Sequence, residues 1–296
     1  LKRNNVTLGR LLEETRLSLE SHGVEESSLE ADLFLMKALG LDRSRLYSSP
    51  ERLVTTGERE ALDHDLSRRL NGEPWPYIFG YREFYGLQMR VGPGVFIPRP
   101  ETELLVDMAL ELAAELAREI SRTLPADGQL RIADVCTGSG AIAVALAVHL
   151  PQAVVYATDV SSPALKMARL NSQDHHVEDR VILLEGDLLA QVPGQVDIVV
   201  SNPPYVPQAD ISHLTKEVRS EPLIALDGGE DGLDVVRSLM PQAISKLRRP
   251  GGLIMELSPE QGEEICALAR SLAPEGSFAL HKDLAGRQRA LLARLP

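Results

Sequence analysis

The sequence predicts an α/β fold, a mostly parallel sheet with helices on both faces, preceded by a small helical bundle. Three observations carry this. From about Pro100, apolar β-branched runs alternate with segments of helical periodicity, the pattern of parallel strands joined by helical crossovers. Before Gly72 the apolar spacing is helical throughout, with stops at glycines. Between them, residues 72–103 hold the single Trp and many of the aromatics, a texture unlike either neighbour.

The elements follow in chain order. "LGRLLEETRLSLESHG" predicts a helix that stops at Gly23. "SSLEADLFLMKALG" predicts a second, begun at a serine cap and stopped at Gly40. "TTGEREALDHDLSRRLNG" sets Thr55 and Glu58 at capping-box spacing and ends on Asn71-Gly72. Short helices with short connections form a bundle. "REFYGLQMRV" reads as a β-hairpin about Tyr85-Gly86. "ETELLVDMALELAAELAREI" is a helix, "LRIADVC" a strand and "SGAIAVALAVHL" a helix. "AVVYATDV" is a strand, "SPALKMARLNSQ" a helix, and "RVILLEGDL" and "VDIVVSN" are strands. "LDVVRSLMPQAISKL" is a helix, "GGLIMELS" a strand and "PEQGEEICALARSLA" a helix, followed by strands "FALHKDL" and "QRALLARL". The predicted boundaries are a helical domain over 1–75, a linker with hairpin over 76–99, and the α/β domain over 100–296.

Charge and cysteine usage exclude several classes. Lys+Arg number 31 against 43 Asp+Glu, for a net charge of −12. The first 85 residues carry 12 basic and 15 acidic side chains, so most of the acidity lies in the α/β part. This argues against broad, salt-driven binding of bare nucleic acid, though not against a local basic groove. Cys136 and Cys266 both lie in apolar-periodic segments, so a reducing cytoplasm is expected rather than a disulfide framework. No Cys and His cluster has zinc spacing, and "LDGGEDGL" has the wrong spacing for a calcium loop, so no metal is expected. The start "LKRNNVTLGR" lacks the apolar stretch of a signal peptide, and no run is long enough to span a membrane.

"ADVCTGSGAIA" puts Gly138 and Gly140 between a strand and a helix. Without Cβ the backbone turns sharply and a ligand lies against it, beside the free N–H groups of a helix start. Asp159 ends the next strand, where a carboxylate accepts ribose hydroxyls. Gly138-x-Gly140-x-x-Ala143 also fits a relaxed dinucleotide fingerprint, so NAD stays open at this point. Asp134, just before the turn, leans away from a pyrophosphate and toward a cationic ligand such as S-adenosylmethionine. Alternatively it only caps the loop. Asp187 and Leu188 end the third strand and Asn202 the fourth, so candidate residues converge where an open α/β sheet binds ligands. Asp187 also reads as a solvated loop carboxylate.

"SNPPYVP" follows the buried run "VDIVV". Two prolines lock φ and fix carbonyl directions at the strand end. Such a segment suits a planar NH2 acceptor with a delocalised lone pair. The Asn202 oxygen and a Pro203 carbonyl accept its two N–H bonds, and Tyr205 offers a flat face. Holding the N–H groups favours the developing positive nitrogen, and no shifted general base is required. Arg99, between prolines, is either a solvated charge or a binder of substrate backbone. Glu101 and Glu103 favour the dipole of a helix start, and His175-His176 a solvated loop.

"DVCTGSG" followed by "SNPPY" resembles the class I amino-methyltransferases. "GEPWPYIFGYREFYG", "VFIPRPETE", "EPLIALDGGEDGL" and "DLAGRQR" extend the match, and the chain from roughly Gly72 onward resembles the HemK/PrmC family of release-factor glutamine methyltransferases. The helical segment agrees in size and position without specific motifs. The resemblance implies a Rossmann-like S-adenosylmethionine-dependent core with a mostly parallel seven-stranded sheet. It implies methyl transfer to the N5 amide of the glutamine in the Gly-Gly-Gln motif of peptide chain release factors, modulating translation termination. S-adenosylhomocysteine is then the product. The expected setting is a cytoplasmic monomer with a release factor as partner, no membrane and no direct DNA binding.

Carried over residue by residue, Asn202 and Pro203 hold the amide, Tyr205 packs over it, and Pro204 completes the segment. Cys136, Thr137, Gly138, Ser139 and Gly140 contact the cofactor with Asp159 and Leu188; Asp134, Asp187 and Asn202 are counted with them. Phe96, Ile97, Pro98 and Arg99 wall the site. One departure is Cys136, where the family usually has Gly. Three rivals remain: N6-adenine or N2-guanine methylation of nucleic acid, whose NH2 chemistry is the same; an NAD-dependent oxidoreductase, which lacks a suitably placed His or Lys; and a non-catalytic binding module.

Overall fold

The computed structural model describes residues 6–120 and 129–296, so Leu1–Asn5 of the opening stretch lie outside the described residues. The chain divides into two units, Leu1–Phe79 and Gly80–Pro296. The expected join over 76–99 is therefore split. Pro76–Phe79 belong to the first unit, and the hairpin to the second.

The first unit holds α1 (Leu8–Ser21), α2 (Ser27–Leu39), α3 (Arg43–Ser48), α4 (Thr56–Leu70) and α5 (Trp75–Phe79). Their apolar faces meet in a core that includes Leu8, Leu11, Phe34, Leu35, Leu46 and Leu62. The Thr55–Glu58 capping box forms as expected, with Thr55 N donating to Glu58 at 2.8 Å and Glu58 N to Thr55 Oγ1 at 3.3 Å. The serine cap of α2 does not form. The helix begins one residue earlier, because the Glu26 carbonyl already accepts from Glu30 N, and Ser27 is its first helical residue. Arg69 on α4 donates twice to Glu30 on α2, at 2.6 and 2.9 Å, and both side chains are buried. α3 and α5 are too short for periodicity to reveal; α3 is capped by Asp42, which accepts from Arg45 N at 2.7 Å.

The second unit opens with β1 (Tyr81–Phe84) and β2 (Leu87–Arg90). Tyr85 and Gly86, at φ 53° and 72°, make the turn whose twist matches an antiparallel pair. Phe84 and Met89 are fully buried in the core of this unit. The remaining elements are α6 (Glu103–Ile120), β3 (Leu130–Val135), α7 (Ala141–His149), β4 (Ala153–Asp159), α8 (Ser162–Asp174), β5 (Val181–Glu185), β6 (Val196–Ser201), α9 (Asp234–Lys246), β7 (Leu247–Glu256), α10 (Gly262–Leu272), β8 (Ser277–Lys282) and β9 (Gln288–Leu295).

The seven strands lie in the order β5-β4-β3-β6-β7-β9-β8. The pairs from β5 through β7 are parallel, while β9 runs antiparallel to both β7 and β8. One face is covered by residues of α6 and α7 such as Leu105, Leu112 and Ile142, the other by residues of α9 and α10 such as Leu239 and Ile265. From β3 the chain winds outward to β4 and β5, then returns to β6 on the other side. The carboxyl ends of β3 and β6 therefore flank a topological switch point, where such sheets bind ligands.

Candidate active site

A cavity of about 390 Å³ opens at those strand ends, within the size range of small-molecule sites. Its first wall is the turn between β3 and α7. Gly138 N donates to Asp159 Oδ2 at 2.9 Å, and Asp159 Oδ1 accepts from Ser161 N at 2.9 Å. Burial nevertheless raises the Asp159 carboxyl, against the pull of those N–H groups. Cys136, Thr137, Gly138, Ser139, Asp159, Asp187 and Leu188 all border the cavity, Asp187 at its exposed rim.

The two glycines serve different ends. Gly138 sits at φ 57°, and a Cβ there would meet Phe96 Cβ at 4.0 Å, ordinary contact without a clash. A Cβ on Gly140 would lie 2.9 Å from Cβ of Ala168, so this glycine lets the start of α7 close on α8. Gly140, expected beside the cofactor, is not among the residues that line the cavity. Asp134 is likewise not in the cavity wall. It is fully buried, and its Oδ2 accepts from Thr137 Oγ1 at 2.5 Å and Ala143 N at 3.1 Å. It braces the turn from below, and burial pushes its carboxyl up to about 7. Cys136 occupies a left-handed φ of 59°, borders the cavity and packs against the cluster under α9 and α10. Burial pushes its thiol up, and the nearby Asp159 and Asp134 add to the effect.

The second wall is the stretch 95–99. Phe96, Pro98 and Arg99 line the cavity, whereas Ile97 is buried outside it and donates its N–H to Glu221 Oε2 at 2.8 Å. Arg99 stacks on the Phe96 ring, 4.8 Å from its centroid, and donates to buried Glu221. It is thus a paired, half-buried cation rather than a solvated one.

The third wall is Asn202 to Tyr205, at the end of β6. Asn202 Nδ2 donates to Thr102 Oγ1 at 3.1 Å, and Thr102 donates to Glu256 Oε2 at 2.6 Å. Tyr205 OH donates to Glu256 Oε1 at 3.3 Å. The Tyr205 carbonyl accepts from Gln261 Nε2 at 3.0 Å, and Val206 exchanges backbone hydrogen bonds with Leu226 and Gly228. Burial and the adjacent Glu256 raise the Tyr205 hydroxyl, which keeps it neutral. Burial also raises the Glu256 carboxyl, opposed by the Thr102 hydrogen bond and Arg289. Sequence reasoning missed Thr102, Glu221, Glu256 and Gln261. A lone carboxylate ending the apolar run "GGLIME" was the available signal, since such a group demands partners.

The lining tests the cofactor reading. Among the described residues that line the cavity, Arg99 is the one cation and it is already paired, while Asp159 and Asp187 are carboxylates. That set fits a ligand with ribose hydroxyls, an ammonium and a sulfonium, as in S-adenosylmethionine, and would repel a pyrophosphate.

The family described as the PrmC N-terminal domain matches residues 10–80, and the methyltransferase small domain matches 115–271. The release factor glutamine methyltransferase of Moorella thermoacetica is 41% identical over 290 residues, 97% of this chain and 98% of that protein. The one from Bradyrhizobium diazoefficiens is 41% identical over 277 residues, 93% of this chain and 91% of that protein. Among solved structures, the hMettl16 catalytic domain in complex with MAT2A 3'UTR hairpin 6 superposes with a TM-score of 0.56 at 16% identity, covering 78% of this chain and 81% of that one, a likeness of fold alone. The chain belongs to the release factor glutamine methyltransferase family.

Proposed function

We propose that this chain transfers a methyl group from S-adenosylmethionine to the N5 side-chain amide nitrogen of the glutamine in the Gly-Gly-Gln motif of peptide chain release factors. The carrying observation is that Asn202–Tyr205 and an acidic, phosphate-repelling set of strand ends line one cavity. Two near-full-length relatives at 41% identity are named release factor glutamine methyltransferase, which supports this reading. S-adenosylmethionine, when bound, supplies a methyl group already activated by its sulfonium.

The chain's own residues do the rest. Asp159, Asp187, Gly138 and Leu188 hold the nucleoside and amino-acid parts of the donor. The Asn202 oxygen and the Pro203 carbonyl accept the two amide N–H bonds, and the Tyr205 ring carries the flat group. Acceptors already in place favour the nitrogen as it becomes positive. Phe96, Pro98 and paired Arg99 shield it from water. The helical unit docks the protein substrate, so a free Gly-Gly-Gln peptide is methylated with a lower kcat/KM than a whole release factor. The enzyme works in the cytoplasm as a monomer, without binding DNA; no described helix is long and apolar enough to cross a membrane.

The test offers labelled methyl donor with release factor, a release factor whose motif glutamine is alanine, and nucleic acid in parallel. Label is expected in the first alone. Transfer to nucleic acid alone overturns the reading. Calorimetry with S-adenosylmethionine and NAD distinguishes the oxidoreductase rival, and binding of NAD alone would favour it.

A further inference from the structure

We propose that Thr102 and Glu256 are positioning residues that decide which end of the Asn202 amide faces the substrate, an inference resting on the function proposed above. A side-chain amide has an oxygen end and an NH2 end of nearly the same shape. The oxygen end alone holds a substrate NH2; the other end repels it. A rotation of half a turn about one bond would abolish function without disturbing the fold.

The structure carries a device against that rotation. An ionised carboxylate only accepts hydrogen bonds, and a threonine hydroxyl has one proton. Thr102 commits that proton to Glu256 Oε2 at 2.6 Å. The group 3.1 Å from its oxygen must therefore donate, which makes it Asn202 Nδ2. Asn202 Oδ1 then has no hydrogen-bond partner among the described residues and is not among the buried unpartnered atoms, while its residue lines the cavity. The acceptor end is thus the free end. The second oxygen of Glu256 accepts from Tyr205, so one carboxylate at the end of β7, 1% exposed, orders both the amide and the ring.

The chain of donors reverses if Glu256 gains a proton. Its own O–H can then donate to Thr102, and the threonine proton becomes free to meet Asn202 from either end. Burial raises the Glu256 carboxyl above its ordinary range; of the groups facing it, Thr102, Arg289 on β9 and Tyr205 oppose that rise and Glu101 adds to it. Turnover therefore falls on the acid side as this carboxylate protonates.

The test measures kcat, KM, the donor Kd and thermal midpoint for Thr102→Val, Thr102→Ser, Asn202→Ala and the Val/Ala double variant. Thr102→Val is expected to lower kcat by about tenfold or more with donor Kd within about threefold, and Thr102→Ser to restore it to within about threefold. In the Asn202→Ala background Thr102→Val is expected to cost less than about twofold more, because its effect passes through the amide. An equal loss in both backgrounds, or no rescue by serine, overturns the proposal. Should the valine variant not fold, Thr102→Ala takes its place in the same cycle, and an unchanged kcat there overturns the proposal equally. Wild-type transfer to release-factor glutamine tests the underlying reading separately. If the wild type methylated only nucleic acid, that reading would fail while the ratios among variants still judged the amide orientation.

Discussion

The two ends of the cavity are built in opposite ways. The turn from Cys136 to Gly140 is held mainly by its own backbone and by groups at most 32 residues away, as in the Gly138–Asp159 bond and the bond from Asn171 Nδ2 to the Ser139 carbonyl at 2.8 Å. The Asn202–Tyr205 segment is held by side chains drawn from afar: Thr102 lies 100 positions upstream of Asn202, and Glu256 and Gln261 lie 51 and 56 downstream of Tyr205. The first can absorb a changed side chain because backbone geometry does the holding. The second depends on each distant partner. A cofactor common to many enzymes needs only a local cradle, while a weakly nucleophilic amide needs acceptors aimed by the whole fold.

Four measurements probe this contrast, ordered by expected free energy. Asp134 braces the turn as a fully buried carboxyl pushed up to about 7 from 3.8. Between those values the folded chain keeps a proton that the unfolded chain has lost. Its stability contribution is thus full at low pH and falls as pH rises from about 4 to about 7. Asp134→Asn keeps an oxygen for Thr137 and Ala143 but cannot ionise. Denaturant unfolding should show the variant gaining on the wild type by on the order of 4 kcal/mol at most across that window. A difference independent of pH would mean the turn does not rest on a neutral carboxyl.

Asn202→Ala should lower kcat by on the order of 10²-fold or more, with the donor Kd nearly unchanged. Turnover within about threefold of wild type would erase the contrast and favour a non-catalytic binder. Gln261→Ala leaves the carbonyls of Tyr205 and Gly232 without their side-chain donor. Chemical denaturation should report a loss of about 1–3 kcal/mol, and steady-state assays a kcat lower by roughly tenfold. The smallest effect belongs to the turn. Cys136→Gly removes a left-handed non-glycine residue but adds chain entropy, so stability should move by less than about 1 kcal/mol. Donor affinity should hold within about threefold by calorimetry. A large loss would show that the thiol, not the backbone, shapes this wall.

The same contrast explains what could be read from the residues alone. The strand and helix order, the glycine turn and the convergence of Asp159, Asp187 and Asn202 on one sheet edge are local patterns, and the fold places them as read. Asp134 lies outside the cavity wall because this sheet is covered on both faces, and Ile97, in the loop before α6, because its N–H is drawn to Glu221. Ala133 and Asp134, neighbours on opposite faces of β3, are both fully buried, so alternation along β3 carries no information about which side meets a ligand. Gly140 was assigned to ligand contact when its missing Cβ serves Ala168, a neighbour no sequence pattern names. Thr102 and Gln261 were invisible, and Glu256 showed only as a lone carboxylate without its partners, because hydrogen bonds between residues 51 to 100 positions apart leave no periodicity.

β9 lies between β7 and β8, and its Ala290 pairs directly with Glu256. The strand bearing the carboxylate that orders Asn202 and Tyr205 therefore receives its outer neighbour from residues 288–295. During synthesis, every residue that lines the cavity leaves the ribosome before that neighbour does. While those residues remain in the exit tunnel, the nascent chain has its donor cradle but an incompletely supported β7, so binding of the methyl donor should precede competence for transfer.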